Sequence, residues 1–248
     1  PLAGAVALWW PYTRVSAKSA GSALLYDGFI LACALVILLS TRRQPPGSRA
    51  AWYLMVGALA AFVGGDLGWY LVVWIVGAPP ESASVADAGY LAYYPLMTAG
   101  LLLMLRRRSP GRDTVGLLDA SILATGLGLV VWVFLVIPNA SDSSEPLAGR
   151  LVAVGYPVMD IALLGVAMRL VTTRGRRPVS FLLLVAGALC MFGADVAYSL
   201  QSLYGTYAAG GWLDMCWPAS HALVAASALH PSARMLMQPL PDASSPGL

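Results

Sequence analysis

The sequence predicts an all-α polytopic membrane protein of about seven transmembrane helices, arranged as one helix followed by three repeated hairpins. Apolar residues make up 58% of the 248 residues and charged residues only 11%, a balance far more apolar than that of a soluble domain. Arginines occur in three clusters, and the apolar stretches between them are long enough to cross a bilayer twice. The clusters are Arg42, Arg43 and Arg49; Arg106, Arg107, Arg108 and Arg112; and Arg174, Arg176 and Arg177.

The loops midway between the arginine clusters carry acids and no bases, namely Glu81 and Asp87 in one loop and Asp142 and Glu145 in the next. Because basic loops stay in the cytoplasm, this asymmetry predicts an amino terminus outside and a carboxy terminus in the cytoplasm. The predicted location is the bacterial cytoplasmic membrane, with the lipid bilayer as partner. The small positive net charge then reports topology, and no nucleic-acid partner is expected.

Seven apolar runs of about 20 residues, the length that a span requires, follow one another along the chain. Residues 1–22 are expected to be an extracytoplasmic or interfacial segment, or the end of a helix cut off upstream, and residues 23–230 the transmembrane domain. The Pro, Ser and Asp content of residues 231–248 predicts a cytoplasmic linker. The predicted spans are Ala23–Ser40, Ala50–Val76, Ala88–Leu105, Val115–Ile137, Arg150–Val171, Val179–Tyr204 and Trp212–Leu229.

The last six spans form three predicted hairpins that repeat with a period of roughly 64 residues. Each hairpin opens after an arginine cluster, rises to a short outer loop and returns. Asp87 and Asp214 stand at the start of the returning helices of the first and third hairpins. The ungapped matches pair Leu54–Val56, Gly64-Gly65-Asp66 and Trp69 with Leu183–Val185, Gly193-Ala194-Asp195 and Tyr198.

Ionisable side chains within the predicted spans are the candidate functional residues. Each costs about 2.5–3.5 kcal/mol on insertion scales, so each calls for an explanation. With tyrosines at similar depth, they predict a polar, aromatic pocket that opens to the outside and suits a small amphipathic or cationic ligand. The predicted lining residues are Asp66, Tyr70, Tyr90, Tyr94, Tyr156, Asp160, Asp195, Tyr198 and His221.

A second interpretation of these residues stays open: they only hold the bundle together, at about 0.6 kcal/mol for each interhelical hydrogen bond. No catalytic residue, metal or cofactor is predicted. A retinal protein needs a lysine within a span, whereas Lys18 lies outside the spans. His221 and His230 are poorly spaced for haem or metal ligation, and the chain has no Gly-x-Ser-x-Gly site.

Several short motifs occur in order along residues 45–235: Pro79-Pro80 through Ser84, Ala86-Asp87, Tyr90-Leu91 and Tyr94-Pro95; Leu117-Leu118-Asp119-Ala120; Gly155-Tyr156-Pro157 with Asp160; Ala194-Asp195 with Tyr198; and Ala228-Leu229-His230-Pro231-Ser232. This string of motifs resembles the amino-terminal membrane region of actinobacterial multidomain signalling proteins. Those proteins carry cytoplasmic GGDEF and often EAL domains, which make or degrade cyclic di-GMP.

The resemblance implies a sensory input module that relays an extracytoplasmic or membrane-derived signal to a cytoplasmic output domain, which these 248 residues do not include. The segment itself is then not an enzyme, its ligand is an unnamed small molecule, and the full-length protein is expected to be a homodimer. The alternative is a transporter or channel for a small solute, an ion or protons, since parallel repeats and intramembrane acids are common there. A purely structural membrane module is the third interpretation.

Overall fold

Helices make up the regular secondary structure of the computed structural model, which describes residues 20–78, 80, 82–108, 114–173 and 176–237. The all-α prediction is confirmed for these residues. Predictions for residues 1–19 and 238–248, and for Pro79, Glu81, Arg112 and Arg174, lie outside the described residues. The helices are α1 (Ala20–Thr41), α2 (Arg49–Val76), α3 (Val85–Arg108), α4 (Thr114–Ser141), α5 (Leu147–Thr172), α6 (Val179–Leu203) and α7 (Cys216–Leu229), with 3-10 turns at Pro46–Ser48, Trp212–Met215 and Pro231–Met235.

Six helices, α1 to α6, are long and apolar enough to cross a membrane, as a multi-pass membrane protein requires. The predicted seventh span, Trp212–Leu229, is a 3-10 turn followed by α7, which has only 14 residues. A span needs about 20 residues, so α7 is short by this measure. Most of its side chains are buried among the other helices, which makes α7 an internal helix of the bundle.

Local sequence sets several helix limits. Pro146 precedes α5, where its missing N–H is no loss. Helix α2 ends at Gly77, whose φ of 79° lies in the left-handed region that glycine adopts without a Cβ clash. Helix α3 begins with a reciprocal cap: the Ser84 N–H donates to Oδ2 of Asp87 (2.7 Å), and the Ala86 N–H donates to Oγ of Ser84 (3.2 Å).

Helix α4 contains one π-helical turn, at Trp132–Val136. In a regular α-helix Pro138 would give no N–H to the carbonyl of Phe134, and its ring would collide with that carbonyl. The wider π turn relieves this collision. Nδ2 of Asn139 donates to the carbonyl of Leu135 (2.8 Å), so this carbonyl is satisfied. The chain therefore remains helical through the proline.

Six helices form a closed ring in which each packs against the next, in the order α1, α2, α3, α5, α6, α7 and back to α1. Helix α4 lies outside this ring and packs against α5, where the Thr172 hydroxyl donates to the Gly116 carbonyl (2.8 Å). Elsewhere α4 exposes large apolar side chains, among them Leu118, Ile122 and Leu129. This surface is typical of a helix that faces lipid.

Glycines permit the closest helix contacts. Gly89 of α3 lies against the backbone of α2: a Cβ at this position would be 2.7 Å from the Ala61 carbonyl oxygen and 2.7 Å from Cα of Gly65. On α6, a Cβ at Gly187 would be 3.0 Å from the Ser220 carbonyl oxygen of α7. Small residues bring membrane helices close enough for extensive van der Waals contact, so these positions fix the spacing within both helix pairs.

The residues after α7 fold back against the bundle. Oγ of Ser232 accepts from the Ser180 N–H at the start of α6 (3.1 Å), and the Ser232 N–H donates to Nδ1 of His230 (3.2 Å). Ala233 and Leu236 are buried. Residues 231–237 therefore belong to the packed bundle, in contrast to the linker predicted for 231–248, because these hydrogen bonds hold them to α6.

Candidate functional site

A pair of carboxyl groups joins α1 to α2 inside the ring. Asp27 of α1 is 7% exposed, and its carboxyl group hydrogen-bonds that of Asp66 in α2. Oδ1 of Asp66 also accepts from the Tyr90 hydroxyl of α3 at 2.7 Å. Tyr70 lies within electrostatic range of both acids. The acid pair therefore connects the first three helices of the chain.

A second pair of carboxyl groups joins α5 to α6. Asp160 is 2% exposed and hydrogen-bonds Asp195, which is 8% exposed. Asp195 accepts two further bonds, from Nε1 of Trp217 on α7 to Oδ1 (2.8 Å) and from the Tyr94 hydroxyl on α3 to Oδ2 (3.1 Å). Oδ1 of Asp160 has no hydrogen-bond partner in the described structure. Asp195 is thus the point at which four helices meet.

A hydrogen bond within each acid pair requires a proton between the two carboxyl groups. Carboxylates only accept hydrogen bonds, so a bond between two carboxyl groups requires one of them to be protonated, and two adjacent buried negative charges repel strongly. In the described ranges, no arginine, lysine or histidine bonds to these four carboxyls. Because Asp195 already accepts from Tyr94 and Trp217, the second pair favours an ionised Asp195 and a protonated Asp160.

The two acid pairs occupy corresponding positions in two three-helix units, α1–α3 and α5–α7. In each unit the first and second helices supply the two acids, and the third supplies an aromatic donor. The bonding pattern therefore extends the sequence repeat from a hairpin to a hairpin with the helix before it, and α4 lies between the two units. The corresponding residues are Asp27 and Asp160, Asp66 and Asp195, and Tyr90 and Trp217.

The acids at the start of the returning helices also have corresponding partners. Oδ1 of Asp87 accepts from the Tyr156 hydroxyl (2.6 Å), and Oδ1 of Asp214 accepts from the Tyr207 hydroxyl (2.8 Å). The second oxygen of each carboxylate accepts a backbone N–H just before the helix. A carboxylate at a helix amino terminus is favoured by the helix dipole, so these two acids have a structural role of their own.

Two tyrosines connect the three-helix units. Tyr94 on α3 donates to Asp195 on α6, and Tyr156 on α5 donates to Asp87 on α3. The two rings contact each other edge to face, with centroids 6.2 Å apart. A polar and aromatic network therefore runs from the start of α3 to the acid pair of the second unit.

Two of the predicted site residues lie apart from the acid pairs. His221 is fully buried, packs edge-on against Phe62 (5.0 Å between ring centroids) and lies tilted against Tyr93 (5.5 Å). Tyr198 is 41% exposed and packs on Trp217 (5.8 Å). These two residues therefore meet the network through aromatic contacts, and the pocket lined by the nine residues stays a prediction.

The sequence analysis missed Asp27. The available signal was an acid within the apolar run of the first span, where its insertion cost equals that of the acids that were selected. Asp27 lies in the one span that was left out of the predicted repeat, so no equivalent position drew attention to it. In the structure it supplies half of the first acid pair.

The described residues contain no group of three or more His, Cys, Asp or Glu side chains arranged to hold a metal ion. Comparisons with protein-family models, curated proteins and solved structures find no match for the chain. The functional interpretation therefore depends on the residues themselves and on the contacts that they make.

Proposed function

We propose that this chain is a membrane-embedded input module that relays an extracytoplasmic or membrane-derived signal to a cytoplasmic domain that makes or degrades cyclic di-GMP. The observation that carries the proposal is the direct contact between motifs that lie far apart in the sequence. Tyr94 and Asp160 both bond to Asp195, and Tyr156 bonds to Asp87. A resemblance built on such motifs thus corresponds to one connected network rather than to scattered positions.

The proposed orientation rests on the charges at the two ends of the bundle. Arginines follow α1, α3 and α5, and acids stand between α2 and α3 and between α4 and α5. By the positive-inside rule, the arginine end faces the cytoplasm of a bacterial cell and the chain crosses the membrane seven times, α7 included. Alkaline phosphatase fused after Ser143 is expected to be active and after Arg108 inactive; the reverse result would invert the topology.

The proposed relay runs from the network to the end of α7. A ligand that reaches Asp195 from outside would compete with the donors Tyr94 and Trp217, and Trp217 belongs to α7. Helix α7 leads to Ser232, which bonds to Nδ1 of His230 and, through its hydroxyl, to the start of α6. A ligand that favours one packing of these helices shifts the position of the carboxy-terminal segment, and in a homodimer this shift changes how two output domains meet.

The experiment measures cyclic di-GMP in cells that express the natural full-length chain at equal membrane levels. Asp195→Asn disturbs the network and is expected to change the nucleotide level by about fivefold or more, the lower end of allosteric coupling. The control Asp142→Asn makes the same chemical change in an exposed outer loop, where the hydroxyl and N–H of Ser144 lower the pKa of the Asp142 carboxyl group. An unchanged cyclic di-GMP level in cells with Asp195→Asn would contradict the proposal. A natural full-length chain without an output domain would also contradict it.

A proton-coupled transporter is the second candidate, and the observation that favours it is the presence of two buried acid pairs in corresponding units. In liposomes loaded with a pH-sensitive dye, such a protein would carry protons down an imposed gradient. The double variant Asp27→Asn/Asp160→Asn would abolish this flux, because each pair loses one titratable group. Proton flux in the wild type, together with an unaltered cyclic di-GMP level in Asp195→Asn cells, would select the transporter.

A further inference from the structure

Arg108, the last residue of α3, carries a buried positive charge. It is 3% exposed, and its guanidinium group lies 4.7 Å from the centre of the Phe181 ring. Its Nη2 donates to the carbonyl of Arg176, and its Nε has no partner in the described structure. Among the described residues, a charged group within electrostatic range of it is another cation, Arg177. A buried charge beside a like charge is unfavourable unless an anion compensates it.

The arginine clusters, distant in sequence, come together at this end of the bundle. Arg107 lies so close to Gly47 that a Cβ there would be 2.5 Å from its Nη1, which brings the second cluster against the loop that contains the first. Arg108 joins the second cluster to the third through Arg176. No acidic side chain within the described ranges is bonded to these arginines.

Backbone carbonyls orient several of these side chains. Nε of Arg49 donates to the Gln44 carbonyl (3.1 Å), and Nη2 of Arg177 donates to the Val171 carbonyl (2.9 Å). A neutral carbonyl fixes the direction of a guanidinium group but leaves its charge uncompensated. Each guanidinium has five N–H donors, so most donors of Arg177 stay available for an incoming anion.

Membrane topology alone does not account for Arg108. The positive-inside rule needs cations in the loops, and the exposed Arg106 and Arg107 satisfy it. It gives no reason to bury a third arginine on the face of Phe181. A planar guanidinium that is held on an aromatic ring, within electrostatic range of a second arginine, is well suited to bidentate recognition of phosphate.

We infer that the arginine end of the bundle holds a binding site for one phosphate-bearing anion between α3 and α6, with Arg108 and Arg177 as its ligands. Phosphate in this position has two sources, the headgroup of an anionic phospholipid and a soluble phosphate ester. Basic pockets between helices at the cytoplasmic face are known to take lipid headgroups. The site is separate from the acid pairs and does not depend on what they bind.

The test uses the purified chain in nanodiscs of phosphatidylcholine, with or without phosphatidylglycerol, and in phosphatidylcholine nanodiscs with added glycerol phosphate. Native mass spectrometry counts retained phosphatidylglycerol, and thermal unfolding reports stabilisation by either compound. We expect one tightly held anion per wild-type chain, and roughly tenfold weaker binding in Arg177→Gln, which loses charge-assisted hydrogen bonds.

Two further variants make the result specific. Arg108→Lys keeps the charge but loses the planar fork and is expected to bind as weakly as Arg177→Gln. Arg106→Gln removes the same charge from an exposed neighbour and is expected to bind like the wild type. A response to phosphatidylglycerol alone identifies a lipid site, and a response to glycerol phosphate alone identifies a soluble ligand. Absence of both responses, or binding weakened as much in Arg106→Gln as in Arg177→Gln, would overturn the inference. Because Arg177 is exposed, Arg177→Gln tests the site without a substitution in the buried core.

Discussion

In the second acid pair, the same substitution of aspartate by asparagine is expected to destabilise the fold much more at Asp195 than at Asp160. Asp160→Asn replaces a protonated carboxyl group by an amide, whose NH2 group can donate to Asp195 just as the carboxyl proton does. Asp195→Asn replaces the acceptor of two donors, Trp217 at 2.8 Å and Tyr94 at 3.1 Å. An amide has only one oxygen, so one of these donors must then face an NH2 group.

The expected magnitudes follow from counting hydrogen bonds. Asp195→Asn loses one interhelical bond, worth about 0.6 kcal/mol and at most about 1.7 kcal/mol, and leaves a buried donor unsatisfied, which costs about 1–3 kcal/mol. We therefore expect a loss of about 2–4 kcal/mol in the free energy of unfolding. Asp160→Asn keeps its bond and has no other partner to lose at Oδ1, so its expected cost is below about 0.5 kcal/mol.

Reversible unfolding in mixed detergent micelles measures both free energies, with Asp142→Asn as the exposed control. The two variants should differ by about 2 kcal/mol, roughly thirtyfold in the ratio of folded to unfolded protein. Infrared difference spectra of Asp160→Asn should also lack one carbonyl band of a protonated carboxylic acid. If Asp160→Asn is as destabilised as Asp195→Asn, the proton does not lie on Asp160 and the reasoning is wrong.

Three further predictions concern the packing around the network, each checked by thermal unfolding in detergent. Gly89→Ala should cost about 1–3 kcal/mol, because its Cβ would collide with the backbone of α2; Gly64→Ala, with open space around it, should cost nothing, and equal effects would contradict the contact. Tyr156→Phe should cost about 1 kcal/mol by removing the 2.6 Å bond to Asp87, and no loss would show that water replaces it. Ser232→Ala should cost about 1 kcal/mol and speed proteolysis after α7, and unchanged cleavage would mean that this segment is held by apolar contacts.

The sequence predicts the helices well because each long apolar run has only one stable backbone arrangement in lipid, the helix. It does not predict which helices form the ring. The fourth span reads as half of a hairpin, yet α4 lies outside the ring, and its main packing partner among the described helices is α5. Nor does an apolar run of 18 residues reveal that its first turn, Trp212–Met215, is a 3-10 turn, which leaves α7 short.

For the site, the repeat carries most of the predictive information. It identifies Asp66 and Asp195 as equivalent, and both are members of acid pairs. Depth along a helix can be read from the chain, but rotation about the helix axis cannot, because these spans are apolar on every side. For this reason His221, which lies at the depth predicted for the pocket, packs among aromatic rings. For the same reason Asp27 was not among the predicted site residues.

The position of α4 outside the ring has a consequence for how such a chain can be assembled from two copies of one part. A unit with three crossings ends on the side of the membrane opposite to its start. A second copy in the same orientation must begin on the first side, so the chain has to return once between the copies. In the proposed topology α4 makes this return, so the architecture needs α4 as a single crossing and does not need it to pack within the ring. In the proposed topology, two same-facing units of three helices and one return helix give an odd number of crossings.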